Sequence, residues 1–191
     1  MKILGLSGSL RRDSYNTALL RAVVELLPSD VELEIWEGLR GVPPYDQDDD
    51  GAEAPAAVAK LRSAVAGADA VLIATPEYNA SIPGHLKNAL DWVSRPVATN
   101  PLRNKPAAVV GASTGAFGAV WAQAELRKVL ATIGARVQQT EVACRHADTC
   151  FEDGRLIDDG VRVQLAETVA ELVARARARE QERGAAASFA A

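Results

Sequence analysis

The sequence predicts an α/β fold, a parallel sheet covered by helices on both faces. Short apolar runs alternate with longer segments whose apolar residues recur at helical spacing, which is the pattern of successive βαβ units. The runs are aliphatic on both strand faces, as in Val71-Leu72-Ile73 and Val109-Val110, and that suits strands buried on both sides. A chain of 191 residues fits one domain.

Five strands are expected, at Lys2 to Ser7, Val31 to Trp36, Ala70 to Ala74, Ala107 to Gly111 and Arg136 to Val142. The first helix spans Tyr15 to Leu27, because Leu19, Val23, Leu26 and Leu27 share one face and Pro28 stops it. A second covers Ala54 to Ala66. Pro83 opens a third ahead of Leu86, Ala89, Leu90 and Val93. A fourth runs from about Gly118 to Ile133 with Gly134 as its C-cap, and a fifth from about Val161 to Arg179. Residues 1–183 therefore read as a single domain, and the Ala- and Gly-rich stretch 184–191 as a loosely held tail.

The composition, 48% hydrophobic and 24% charged, is that of an ordinary globular protein. With 21 Lys and Arg against 25 Asp and Glu, the net charge is −4, which argues against a broad basic surface for nucleic acid or an anionic membrane. Cys144 and Cys150 match neither a disulfide framework nor a C-x-x-C motif and read as free thiols in a reducing cytoplasm. The opening MKILGLSGSL lacks the long apolar segment of a signal peptide or membrane span, so a cytoplasmic protein is expected. Asp46, Asp48, Asp49, Asp50 and Glu53 read as solvated surface rather than a metal site.

In an open α/β sheet, ligands bind beyond the carboxyl ends of the strands where the strand order reverses. The loop after the first strand carries Ser9, Arg11, Ser14, Tyr15, Asn16 and Thr17 and leads into a helix, the context of an anion cradle built from free N–H groups, hydroxyls and a guanidinium. It is neither a G-x-x-x-x-G-K-[ST] nor a G-x-G-x-x-G loop, so a terminal monophosphate fits better than a triphosphate or a classical dinucleotide. The plain structural alternative is a helix start capped by Ser14. After the third strand, Pro76-Glu77-Tyr78-Asn79 lies in a loop stiffened by Pro76 and Pro83, suited to bordering a planar ring. After the fourth strand, Ala112-Ser113-Thr114-Gly115 is small enough for close backbone approach to a ligand. Charge-assisted bonds to a phosphate are worth roughly 1.5–3 kcal/mol each. A micromolar to nanomolar complex needs roughly 8–12 kcal/mol, so burial of a flat heteroaromatic ring must supply the remainder, as for FMN lying along this edge.

Gly8-Ser9-Leu10-Arg11 with Ser14 and Asn16, then Pro76-Glu77-Tyr78-Asn79 and Ser81-Ile82-Pro83-Gly84 followed by Leu86-Lys87-Asn88-Ala89-Leu90-Asp91-Trp92, resemble the NADPH-dependent FMN reductases, a group that includes quinone, chromate and azo-dye reductases. The resemblance covers nearly the whole chain. It implies a flavodoxin-like three-layer sandwich with strand order 2-1-3-4-5, and an FMN phosphate held by Ser9 to Thr17 with Arg11 foremost. Pro76 to Asn79 would border the isoalloxazine and Ala112 to Gly115 would close its other side. The implied chemistry is hydride transfer from NADPH or NADH through FMN to small-molecule acceptors by a ping-pong route; no residue of the sequence is an obvious general acid or base. The implied assembly is a homodimer or homotetramer, with the helix of Trp92 as a candidate contact. Some relatives carry a hydroxyl near Ala112, so here that contact is expected from backbone alone.

Two other classes compete. Gly111-Ala112-Ser113-Thr114-Gly115 matches the G-x-S-x-G of a serine hydrolase, with His146 downstream, although no HGGG-type segment accompanies it. A flavodoxin-type electron carrier or redox sensor would use the same fold, but carriers tend to be more acidic and to sandwich the ring between aromatics. No residue in the sequence is assignable to the adenosine ribose, so the choice of nicotinamide cofactor is not readable at this level.

Overall fold

In the computed structural model, which describes residues 1–51 and 54–189, the aliphatic runs become a parallel sheet. In chain order the elements are β1 (Lys2–Ser7), α1 (Tyr15–Val24), β2 (Glu32–Trp36), α2 (Ala56–Gly67), β3 (Ala70–Thr75), α3 (Gly84–Val93), β4 (Pro106–Ala112) and α4 (Val120–Ile133). They are followed by β5 (Arg136–Val137), β6 (Ala143–Cys144), the single turn α5 (Ala147–Cys150), β7 (Phe151–Glu152), β8 (Arg155–Leu156) and α6 (Asp159–Phe189). The strand order is β2-β1-β3-β4-β5, with β6 also on β4, and all of these pairs are parallel.

Alternation along the buried strands feeds two cores. Ile3, Leu72 and Val110 pack with Leu19, Leu20 and Val23 of α1 and Leu165, Val169 and Leu172 of α6. Leu4, Val71, Ile73 and Val109 face the other way, toward Leu61 and Val65 of α2, Leu86 and Leu90 of α3, and Leu126 and Leu130 of α4. This is the two-sided burial that continuous aliphatic strands require.

Several boundaries differ from the sequence reading. The expected fifth strand, Arg136 to Val142, is two short pieces: β5 pairs with the start of β4 and β6 with its end. Between them lies the polar stretch Gln138-Gln139-Thr140-Glu141, where Gln138 is buried and neither side-chain amide atom has a partner among the described residues. The first helix stops at Val24 rather than Leu27. The loosely held tail was expected from Gly184, yet α6 continues through that glycine to Phe189. Trp92, a candidate contact between subunits, is fully buried and donates its indole N–H to the carbonyl of Pro43 at 2.9 Å, so it is core. In the acidic run Glu53 lies outside the described residues, and Asp50 is not freely solvated but accepts from Arg62 at 2.7 Å.

At the end of the sheet opposite the three loops, Lys105 is almost wholly buried and donates to the terminal carbonyls of α2 at Ala66 and Ala68. Burial pulls its pKa down to about 8. Cys144 and Cys150 are both free and buried, and burial, followed by contact with Cys150, pushes the Cys144 thiol up, away from reactivity.

Candidate functional site

The strand order reverses between β1 and β3, and the loops after β1, β3 and β4 meet at the carboxyl edge beside that point. In the first loop, Ser14 caps α1 by accepting from the Thr17 N–H at 3.3 Å. The N–H groups of Tyr15 and Asn16, in the first helical turn, have no acceptor among the described residues, as expected where a helix starts. Ser9 and Ser14 are nearly buried, and Arg11 is exposed, with one guanidinium N–H on the Asp13 carbonyl at 3.3 Å. Orphan N–H donors, hydroxyls and a guanidinium at a helix N-terminus are the donor set an FMN phosphate requires, so the residues present fit that group.

Three residues of this loop take up positions different from the expected phosphate ligands. Asn16 is buried, and its side chain closes both ends of one backbone unit: Nδ2 donates to the Ala112 carbonyl and Oδ1 accepts from the Ala112 N–H, each at 3.0 Å. It is a strut tying the first loop to the third. The Thr17 hydroxyl is engaged with that of Ser7 at 2.8 Å, and the Tyr15 ring stacks on Phe151 at 5.6 Å. For Tyr15 and Asn16 the group left without an acceptor among the described residues is therefore the backbone N–H.

The second loop turns back on itself. Tyr78 and Ser81 exchange backbone bonds of 3.0 and 3.1 Å around Asn79 and Ala80, both with positive φ (53° and 60°), which makes a two-residue type I′ hairpin. Pro76 and Pro83 are buried at its base, while Tyr78 and Asn79 are exposed. Glu77 has a use the sequence did not disclose. Helix α4 begins after Ala119, a left-handed residue with no capping side chain, and the Glu77 carboxylate caps it instead, accepting from the N–H groups of Trp121 (3.0 Å) and Ala122 (3.1 Å). Replacing Glu77 with alanine is expected to cost about 0.5–2 kcal/mol, the usual value of a cap. Thermal unfolding of the variant checks this, and glutamine should restore part of the loss.

In the third loop, Ala112 is spanned by Asn16, and Thr114 and Gly115 are exposed. The Ser113 hydroxyl accepts from the Gly115 N–H at 3.1 Å, and no histidine side chain bonds to it among the described residues. Ser113 also keeps an ordinary negative φ, unlike the strained nucleophile of an elbow turn, so nothing here activates it for hydrolysis. His146 instead donates its backbone N–H to the Gly115 carbonyl at 3.2 Å, and His85 bonds through Nε2 to the Gly8 carbonyl at 2.9 Å.

Sequence reasoning passed over two further features. Gln123 is fully buried beneath this loop, donates to the Gly118 carbonyl at 3.1 Å and leaves Oε1 without a partner among the described residues. Phe117 and Trp121 form an exposed aromatic pair, 4.7 Å between centroids, beside the Glu77 cap. Their spacing across the start of α4 was visible, but the loop between them hid that they share a face.

The sequence profile of the NADPH-dependent FMN reductases matches residues 1–149. An NAD(P)H-dependent FMN reductase of Pseudomonas aeruginosa is 43% identical over 164 residues, covering 85% of this chain and 88% of that protein. A 2-hydroxy-1,4-benzoquinone reductase of a Burkholderia species is 40% identical over 167 residues, 86% of this chain and 90% of the relative. Among solved structures, the flavoenzyme NAD(P)H:(acceptor) oxidoreductase FerB of Paracoccus denitrificans superposes with a TM-score of 0.80 at 34% identity, covering 92% of this chain and 97% of the other. The sheet order, the three cross-tied loops and these likenesses agree, and the chain belongs to the NADPH-dependent FMN reductase family.

Proposed function

We propose that the protein is an FMN-dependent NAD(P)H oxidoreductase that passes hydride to small-molecule acceptors such as quinones, azo dyes, chromate or free flavin in a ping-pong cycle. The observation that carries this reading is the cross-tied edge: Asn16 fixes the third loop to the first, and Glu77 fixes the second to α4. Three loops from three strands are thus held as one rigid rim, which positions a bound ring without an ordering cost at each encounter. FMN, when bound, supplies the two-electron chemistry. Around it, Ser9, Arg11, Ser14 and the N–H groups of Tyr15 and Asn16 hold the phosphate. Pro76 to Asn79 and Ser113 to Gly115 offer backbone groups to the ring edge.

The face above that rim is open and aromatic, with Tyr78, Phe117 and Trp121 all exposed. An open aromatic surface accepts flat molecules of several kinds and lets a nicotinamide and then an acceptor use the same face, which favours the ping-pong order. The same exposed aromatics favour a homodimer or homotetramer over a monomer. A cytoplasmic location follows from the two free thiols and the intracellular supply of NAD(P)H.

The test is the visible spectrum of the FMN-supplemented, desalted protein before and after anaerobic NADPH addition. Bound yellow flavin that bleaches rapidly upholds the reductase. Flavin that binds and does not bleach overturns it in favour of a carrier or sensor. Arg11→Ala is expected to weaken FMN binding about tenfold, the low end of a charge-assisted bond of ~1.5–3 kcal/mol because the residue is exposed. Fluorescence titration of FMN measures it, and an unchanged affinity removes Arg11 from the cradle.

A further inference from the structure

On the β2 side of the first loop lies a cleft of about 190 Å³ lined by four exposed arginines from three separate segments. Arg11 and Arg12 come from the loop, Arg21 from the last turn of α1, and Arg40 from the single 3-10 turn at Gly38–Gly41 that follows β2. Among the described residues Glu37 is the one carboxylate in the lining.

Among the described residues none of the four cleft arginines holds a carboxylate within 4.0 Å; six arginines outside the cleft do and six do not, so what sets the cleft apart is that four share one lining. With Arg11 given to the FMN phosphate, Arg12, Arg21 and Arg40 still share the cleft without a carboxylate partner among the described residues, and a second bound phosphate would supply their counter-charge. Arg40 is also partly pre-oriented, because it donates to the Leu10 carbonyl at 2.8 Å and keeps further N–H groups for a ligand. One wall is the indole of Trp36, which lies so close over Gly38 that a Cβ there would sit 2.4 Å from the ring. A fixed aromatic wall beside unpaired guanidinium groups suits a heteroaromatic base carrying a phosphate.

We propose that this cleft recognises the adenosine end of NADPH, with the 2′-phosphate among Arg12, Arg21 and Arg40 and the adenine against Trp36, and that it sets a preference for NADPH over NADH. NADH lacks that phosphate, so it gains nothing from the arginines. The assignment rests on the oxidoreductase reading above and extends it to the choice of hydride donor.

The experiment compares wild type with an Arg21→Gln/Arg40→Gln double variant, both FMN-loaded. Calorimetric titrations with NADP+, NAD+ and inorganic phosphate accompany steady-state KM values for NADPH and NADH. Wild type is expected to bind NADP+ about tenfold more tightly than NAD+, and the double variant to lose that margin. KM for NADPH should rise about tenfold with KM for NADH and the FMN content unchanged. Inorganic phosphate should compete with NADP+ and not with NAD+. Equal affinity of wild type for NADP+ and NAD+ overturns the proposal while leaving the reductase intact. Phosphate that binds through these arginines without affecting NADP+ overturns it in favour of a free anion, and loss of FMN from the double variant assigns the arginines to the flavin cradle instead. Wild-type protein that binds neither nucleotide nor FMN overturns the reductase reading together with the proposal.

Discussion

Replacing Asn16 with alanine is expected to lower stability by about 2–6 kcal/mol and to cost FMN affinity as well. The side chain satisfies the N–H and the C=O of Ala112 at once, and both sites are buried. Each buried polar group left without a partner costs ~1–3 kcal/mol, against a total stability of ~5–15 kcal/mol. Aspartate is not a substitute, because it keeps the acceptor for the Ala112 N–H and sets a carboxylate against the Ala112 carbonyl. Urea unfolding measures the stability term, and flavin titration at a temperature where the variant is folded measures the binding term. An unchanged denaturation midpoint would show that water replaces the amide, and the strut would then carry no load.

The sheet was legible because burial on both faces leaves short aliphatic runs of strand length, set between longer segments of helical spacing. Val71-Leu72-Ile73 and Val109-Val110 mark β3 and β4 to within a residue or two. The fifth strand was not legible to the same degree, since its middle is Gln138 to Glu141 and only Arg136–Val137 and Ala143–Cys144 pair with β4. One element that was legible went unread. Asp153-Gly154 lies between Phe151-Glu152 and Arg155-Leu156, and both turn residues have positive φ (48° and 78°) in a two-residue hairpin, the strongest short-range hairpin signal a sequence offers.

At the site, residue type and loop position were enough to find the rim, because strand ends dictate where ligands bind. They were not enough to separate residues that face a ligand from residues that brace the loops. Asn16 and Glu77 are as polar as Ser9 and Arg11, and only tertiary pairing shows that their side chains are spent on Ala112 and on the start of α4. The arginine cleft was hidden for a related reason: Arg12, Arg21 and Arg40 are scattered in sequence and converge only when β2 lies beside β1.

Gly118→Ala is expected to be as damaging as the loss of Asn16, through packing rather than polarity. Gly118 has φ +61°, a conformation that costs an L-residue ~1–2 kcal/mol. A Cβ there would meet the backbone of Ala143 at 2.7 and 2.9 Å and its side chain at 2.9 Å. Ala143 is held by β6 pairing with β4, so it cannot retreat without opening the sheet edge, and overpacking of this kind costs a further ~1–3 kcal/mol. The sum, about 2–5 kcal/mol, should appear as a lower urea midpoint. Gly115, three residues earlier in the same loop, makes the comparison decisive. It is exposed, has no positive φ, and a Cβ there meets only the Ser113 hydroxyl at 3.4 Å, so Gly115→Ala should leave the midpoint nearly unchanged. If Gly115 instead gives a flavin backbone access to the loop, that variant should lose FMN affinity while staying folded. The two glycines then separate what holds the rim in place from what the rim is for.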